Sequence, residues 1–286
     1  MPKIGVQAMM LKDDFAEAGP FETLRRVSEI GYHAVEVSQI PMTPDNVAEL
    51  GRARDELGMD IASLSAALDS SSSANNDSLA DDFDKIVADA QTLGASMVRI
   101  GMLPIPAMAS LDRVLEFSDR TNAYAERFAE HGIDLYYHNH HIEFTKFDGR
   151  YMLDIIAERA PRVGLEIDVH WVARGGLDPA RTLEKYRGRV AMVHLKDYRV
   201  ALLPDRAFAA LDAGDHDAFT EAFTSNIQFG EVGEGNLDFP GIITTAGEVG
   251  AKYLLVEQDQ RYGRTALECL QTSYDNLVAM GFAELF

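Results

Sequence analysis

Eight times along this chain a short apolar run is followed by a helix-like stretch, and that recurrence is the tightest constraint on how the chain can fold. The runs are Ile4–Met9, Ala34–Ser38, Ile61–Ala66, Met97–Ile100, Asp134–His138, Val163–Asp168, Val190–Leu195 and Tyr253–Glu257. Most lack clean polar alternation and several are rich in Val, Ile and Leu, the pattern of strands covered on both faces. Between them the spacing changes to that of a helix. Phe21–Ile30 carries Leu24, Val27 and Ile30 on one stripe, and Asp81–Leu93 carries Phe83, Ile86, Val87, Ala90 and Leu93. The long stretch Leu111–His131 repeats the pattern with Val114, Phe117, Tyr124 and Phe128. Gly31, Gly58, Gly94 and Gly132 each close such a stretch ahead of the next run, as glycine does at helix ends. The helix–Gly–strand phrase therefore reads as repeated βα units.

No domain boundary interrupts the series. The expected class is α/β, a closed parallel (β/α)8 barrel forming a single domain over residues 1–286. Ser70–Ser73 with Asn75 and Asn76 is a polar patch read as a loop after the third strand. The longest interruption, residues 198–238, follows the seventh strand and is expected above the barrel mouth as a lid or a subunit contact, so a homo-oligomer is possible. Ala218, Phe219 and Phe223 suggest a short helix within it.

Composition excludes several function classes. The 46 acidic residues against 26 basic ones give a net charge of -20, the wrong sign for a nucleic-acid surface that must neutralise phosphates. No apolar run is long enough to span a membrane. The first residues, Met1-Pro2-Lys3-Ile4, enter a strand pattern without the basic and apolar regions of a signal peptide, so a cytoplasmic location is expected. Cys269 is the single cysteine; no internal disulfide can form, and an inert buried thiol is expected.

The chemistry lies at the ends of the last four runs. Glu143 follows the fifth, Asp168 ends the sixth, His194 lies in the seventh and Glu257 ends the eighth. In a closed parallel barrel such ends meet at one rim. Three carboxylates and an imidazole gathered there would make a divalent-metal site, with Mn²⁺, Zn²⁺, Co²⁺ or Mg²⁺ as candidates. His138 and His140 are two apart and face one side of an extended chain, whereas His141 points away and is read as structural. Glu166, two residues before Asp168, is costly to bury unpaired and is expected in a salt bridge beneath the site. By alternation Lys196 faces the same side as His194 and is expected to hold a substrate oxygen or to neutralise Asp197. His170 and Trp171, the only tryptophan, are expected to contact substrate, Trp171 as a face for a sugar ring or as a cap on the core. Glu234, in the turn Gly233-Glu234-Gly235, is also placed with substrate.

These segments resemble the xylose isomerase-like TIM barrel superfamily of sugar isomerases, epimerases and dehydratases. The resemblance rests on Tyr137-His138-Asn139-His140 through Glu143-Phe144, on Asp168-Val169-His170-Trp171 with Gly175-Gly176-Leu177-Asp178-Pro179, and on Val193-His194-Leu195-Lys196-Asp197. Val232-Gly233-Glu234-Gly235-Asn236-Leu237-Asp238, Val256-Glu257-Gln258-Asp259 and Gly5-Val6-Gln7 extend it over nearly the whole chain. It implies one divalent metal, commonly Mn²⁺, on Glu143, Asp168, His194 and Glu257. Many members carry a glutamate where His138 stands, so His138 or His140 is the substitute ligand if Glu143 is not. Trp171 stands where a histidine often lies.

The expected activity is metal-dependent isomerisation or epimerisation of a keto-sugar or polyol through an enediolate, with His140, Glu143 and Glu257 as acid–base candidates. The alternative is a lyase or dehydratase that expels a β-leaving group from an inosose or 3-keto-glycoside. Either acts on a small carbohydrate, without nucleic acid or membrane.

Overall fold

The computed structural model describes residues 1–70 and 77–286; most of the polar patch around Ser71–Ser73, Asn75 and Asn76 lies outside the described residues. Eight parallel strands close into a barrel. They are β1 (Lys3–Gln7), β2 (Ala34–Val37), β3 (Asp60–Ala66), β4 (Met97–Ile100), β5 (Asp134–His138), β6 (Gly164–Asp168), β7 (Val190–Leu195) and β8 (Tyr253–Val256), each hydrogen-bonded to the next, with β8 returning to β1. Eight of eight expected runs are strands, and the α/β (β/α)8 barrel stands.

The local reasons are those the sequence suggests. Residues on the outer side of the strands, such as Val6, Val35, Leu135, Leu165, Val193 and Leu254, are sealed against the helix layer. Helices Pro20–Ile30, Pro44–Leu57 and Phe83–Leu93 end at Gly31, Gly58 and Gly94, whose φ values of 127°, 66° and 70° are open to glycine at little cost. Helix Leu111–Ala129 begins where Ser110 accepts a hydrogen bond from Arg113 N, a side-chain cap for an otherwise unpaired donor.

The barrel interior is layered by the period of two along each strand. Met97, Tyr136, Met192 and Leu255, with Ala62 and Ala191, form a small apolar cluster separate from the main core. One step toward the strand ends the interior turns polar, with Arg99, His138, His194 and Glu257, and with Glu166 in register with His138; Asp168 and Lys196 lie one step beyond Glu166 and His194. Glu36 joins this polar interior from β2. The strand register slips between Val35 and Glu36 and again between Leu165 and Glu166. Such irregularities re-aim a side chain, and both fall where a glutamate enters the barrel.

Two elements differ from the sequence expectation. β1 stops at Gln7 because the Gln7 side chain accepts from Met9 N, turning Ala8–Leu11 into a 3-10 helix. The segment after β7 is not a loop with one short helix. Strand Asp197–Val200 pairs antiparallel with Ile227–Gly230, and helices Asp205–Asp212 and His216–Thr224 pack against each other between them. No described helix is long and apolar enough to cross a membrane.

Cys269 is fully buried in helix Ala266–Ala279, where its Sγ donates to Glu231 Oε1 at 3.1 Å. Burial and the Glu231 carboxylate push its thiol up to about 12. The native protein is therefore expected to resist iodoacetamide at mildly alkaline pH and to react in guanidinium; rapid native labelling, read by mass spectrometry, would contradict this burial.

Candidate metal centre

β5 to β8 deliver their ends to one point inside the barrel mouth. His138 closes β5, Asp168 closes β6, His194 sits across from Asp168 in the β6–β7 register, and Glu257 follows β8 directly. One donor atom from each of these four residues lies within 4.8 Å of the other three, and all four residues are buried. His194 Nδ1 is 2.9 Å from Glu257 Oε2 and 3.7 Å from Asp168 Oδ2, while His138 Nε2 is 3.5 Å from Asp168 Oδ2. Although close enough for ion pairing, His138 Nε2, Asp168 Oδ2, His194 Nδ1 and Glu257 Oε2 have no hydrogen bond of acceptable geometry. Buried polar atoms held by ion pairs alone, without a well-formed hydrogen bond, leave donor capacity open, and two imidazole nitrogens with two carboxylate oxygens suit a divalent transition ion. The residues present thus fit such an ion.

Each donor is held from behind. Asp168 Oδ1 accepts from Trp171 N at 3.1 Å, and Asn139 Oδ1 accepts from Asp168 N at 3.2 Å. Glu257 Oε1 accepts from Gln7 Nε2 at 3.1 Å. His138 Nδ1 lies 3.1 Å from Gly101 O, which fixes the donor on Nδ1 and leaves Nε2 as a lone pair. His194 Nε2 sits 3.2 Å from Glu36 Oε2 and 3.1 Å from Glu166 Oε1. Arg99 bridges those same acids, its Nη2 2.6 Å from Glu36 Oε1 and its Nε 3.3 Å from Glu166 Oε2. Glu166 is thus paired beneath the site.

The electrostatics follow from burial set against these partners. Burial works against the charged forms of Asp168 and Glu257, yet Lys196 and the imidazoles outweigh it and hold both carboxyls well below the usual range. Burial lowers His138 to about 4 despite the pull of Asp168. Burial also disfavours a charged His194, but the Glu166, Glu257 and Glu36 carboxylates more than reverse that and raise it. Glu166 is raised to about 8 by burial and by the neighbouring Glu36 charge.

Glu143 stands apart from the four donors. Its Oε1 accepts from the Tyr137 hydroxyl at 2.5 Å and its Oε2 from His140 N at 2.8 Å. It is completely buried, and burial raises its pKa. The structure brings Asp168, His194 and Glu257 together as expected and sets His138, rather than Glu143, beside them.

A cleft of about 240 Å³ opens onto this point, lined in part by Gln7, Ser38, Arg99, His138, His140 and Lys196. His140 lines it, its Nδ1 is buried without a hydrogen-bond partner, and burial together with His138 and Lys196 lowers its pKa to about 2. Lys196 is buried, its Nζ 3.0 Å from Asp168 Oδ2, 2.6 Å from Glu257 Oε2 and 3.0 Å from Asp259 Oδ2. Asp197 is instead met by the backbone N–H groups of Tyr198, Gly233, Gly235 and Leu237. A Cβ on Gly235 would lie 2.3 Å from Asp197 Oδ1, so this turn closes only with glycine there. Glu234, in that turn, is exposed and accepts from Asn276 Nδ2 at 3.1 Å, away from the cleft lining.

His170 and Trp171 form a wall behind His140. His170 Nδ1 donates to Asp197 O at 2.8 Å and its ring stacks on Phe229 with centroids 4.5 Å apart. Trp171 packs between His140 and the exposed His141, at 5.4 and 5.1 Å. Glu36 and Arg99 have no place among the residues singled out from the sequence. The signal was a charge inside a four-residue apolar strand, Ala34-Val35-Glu36-Val37 and Met97-Val98-Arg99-Ile100, the same signal that marked Glu166.

A family model described as xylose isomerase-like TIM barrel matches residues 24–273, and the chain belongs to that family. A curated relative, the rhizopine catabolism protein MocC of Rhizobium meliloti, is 31% identical over 164 residues, 57% of this chain and 48% of that protein. The chain thus spans about half the length of this curated relative. Among solved structures, a sugar phosphate isomerase/epimerase from Parabacteroides distasonis aligns over 99% of this chain and 96% of its own, with 23% identity and a TM-score of 0.73. An L-ribulose 3-epimerase aligns over 100% and 96%, with 15% identity and a TM-score of 0.70. These likenesses show the barrel fold.

His138→Ala is expected to cut Mn²⁺ affinity by roughly 10- to 100-fold or more, as loss of a ligand or its support does, whereas Glu143→Gln leaves bound-metal stoichiometry intact. Elemental analysis and calorimetry of the two variants decide; the reverse pattern would return Glu143 to the ligand set.

Proposed function

We propose that this xylose isomerase-like barrel is a divalent-metal-dependent isomerase or epimerase of a keto-sugar or polyol. The observation that carries this reading is the convergence of four buried donor atoms, from His138, Asp168, His194 and Glu257, whose neighbours within reach are one another and the Lys196 ammonium, beneath a polar cleft of sugar size. Those four residues would hold the ion, and the paired imidazoles favour Mn²⁺, Co²⁺ or Zn²⁺ over Mg²⁺. When bound, the ion supplies Lewis-acid polarisation of a substrate carbonyl, which eases loss of the proton on the adjacent carbon. The names of the solved neighbours, a sugar phosphate isomerase/epimerase and a ribulose epimerase, support a carbohydrate substrate.

The chain's own groups supply the rest. His140 lines the cleft as a neutral imidazole whose Nδ1 has no hydrogen-bond partner. Its lowered pKa makes it a weak base, so proton transfer to it would rely on a substrate C–H acidified by the ion-polarised carbonyl. The proton returns either to the neighbouring carbon, which isomerises the sugar, or to the opposite face, which epimerises it. Glu257 lines the same cleft and is the second acid–base candidate. Glu143 acts through His140, because its carboxylate fixes the backbone N–H that precedes the imidazole. Gln7, Ser38 and Lys196 offer donors to substrate hydroxyls. Trp171 and His170 set the wall against which His140 rests. Buried walls strengthen every one of these contacts by excluding water.

A panel of keto-sugars and polyols in deuterated water tests the reading. The expected result is deuterium gain at one carbon without mass loss, abolished by a chelator and restored by Mn²⁺. Loss of water or of an aglycone would replace it with the lyase alternative, and absence of exchange with every metal would end it. His140→Gln is expected to lower kcat by about 10²–10⁴-fold, the usual worth of a positioned acid–base group, with metal content unchanged.

A further inference from the structure

Asp168 and Glu257 each spend one carboxylate oxygen on a protein donor and keep one for the site. Trp171 N holds Asp168 Oδ1, and Gln7 Nε2 holds Glu257 Oε1. The remaining oxygens, Asp168 Oδ2 and Glu257 Oε2, are the ones that face His138 and His194. They are also the ones that Lys196 Nζ approaches, at 3.0 and 2.6 Å. Lys196 has a third carboxylate within reach, Asp259 Oδ2 at 3.0 Å. Asp259 differs from the other two in exposure: its side chain is 30% exposed at the cleft, against 4% for Glu257 and 0% for Asp168.

We propose that Lys196 is a movable counter-cation: its ammonium and the divalent ion compete for Asp168 Oδ2 and Glu257 Oε2, and ion binding drives the ammonium onto Asp259, at the edge of the cleft where substrate oxygens arrive. This rests on the metal-site reading above and adds a coupling to it. Two cations sharing two oxygens in a buried site repel strongly, and the doubly charged one prevails. Lysine suits the displaced role because its ammonium is a point charge on a flexible stem, able to exchange one carboxylate for another by rotating its last bonds. The rings of Trp171 and Phe229 lie 5.2 and 5.8 Å from Nζ and favour a cation beside them. The consequence is an order of events. The ion places a positive charge in the cleft before substrate enters, and a substrate oxygen that meets Lys196 in turn tightens the ion, because coupling between two sites is reciprocal.

The test is Mn²⁺ affinity by titration calorimetry at one fixed pH, on the whole chain. Lys196→Met removes the competitor and is expected to tighten Mn²⁺ by roughly tenfold, within the usual range for coupled neighbouring sites. Asp259→Asn removes the alternative partner and is expected to weaken Mn²⁺ several-fold. In the double variant the second change has little further effect, because Asp259 acts through Lys196. Lys196→Gln, which keeps a donor to the carboxylates, is held to the same tightening should the Met variant fail to fold. Unchanged or weaker binding in the uncharged variants overturns the competition. Equal weakening by Asp259→Asn with and without Lys196 shows a direct effect of Asp259 on the ion and overturns the relocation. If the wild-type chain binds no divalent ion, the metal-site reading itself fails; if it binds while the variants do not differ from it, the site stands and only the competition falls.

Discussion

Charge placed inside a barrel must meet charge of the opposite sign at the same height, and the interior of this molecule is arranged around that requirement. A buried ion without a partner costs several kcal/mol, enough to unfold a marginally stable domain. Arg99 therefore sits between Glu36 and Glu166, and Lys196 among Asp168, Glu257 and Asp259. Each acid comes from a strand or strand end other than that of its cation, so the pairing holds only because closure of the sheet fixes the stagger between strands. The supply of positive charge is nonetheless short. Glu166, raised to about 8, is largely protonated at neutral pH, so Glu36, Asp168, Glu257 and Asp259 face Arg99, Lys196 and a His194 that the same acids push toward its charged form. A divalent ion on these donors would take the place of the His194 proton among the same acids.

The long excursion after β7 is tied to the same centre through one carboxylate. Asp197 follows Lys196 directly, so its position is set by the strand that carries His194. Its two oxygens collect backbone N–H groups from both ends of the excursion, at Tyr198 and at Gly233, Gly235 and Leu237. The excursion thereby becomes a small folded unit with its own two-stranded sheet, closed at its base, and Phe229 within it reaches back to stack on His170. The glycine-rich turn that carries Glu234 serves that closure.

Much of this was legible along the chain. Helix spacing and glycine punctuation mark units that each bury one face, so the alternation of βα units and the strand positions follow from local rules; the strand ends differ by a residue or two where a side chain such as Gln7 caps the turn. Asp168, His194 and Glu257 were legible because a charge ending an apolar strand is expensive unless it is used. Less legible were Glu36 and Arg99, each a single charge within four residues and meaningful only once β2 and β4 are known to face β6 across the interior. Glu143 and His138 lie five residues apart on one segment, and nothing in their spacing says which of them reaches the centre.

The sequence by itself determined the eight βα units, the closed barrel they build and the strand ends that carry the chemistry, because these depend on hydrophobic period and helix termination within a dozen residues. Only the tertiary structure decided that Glu143 turns to Tyr137 and the His140 backbone while His138 faces Asp168, that Lys196 joins three acids rather than Asp197, and that residues 198–238 form a folded unit. Those outcomes depend on where the closed sheet sets side chains far apart in sequence, and on which buried oxygen finds a donor first, information that no local pattern contains.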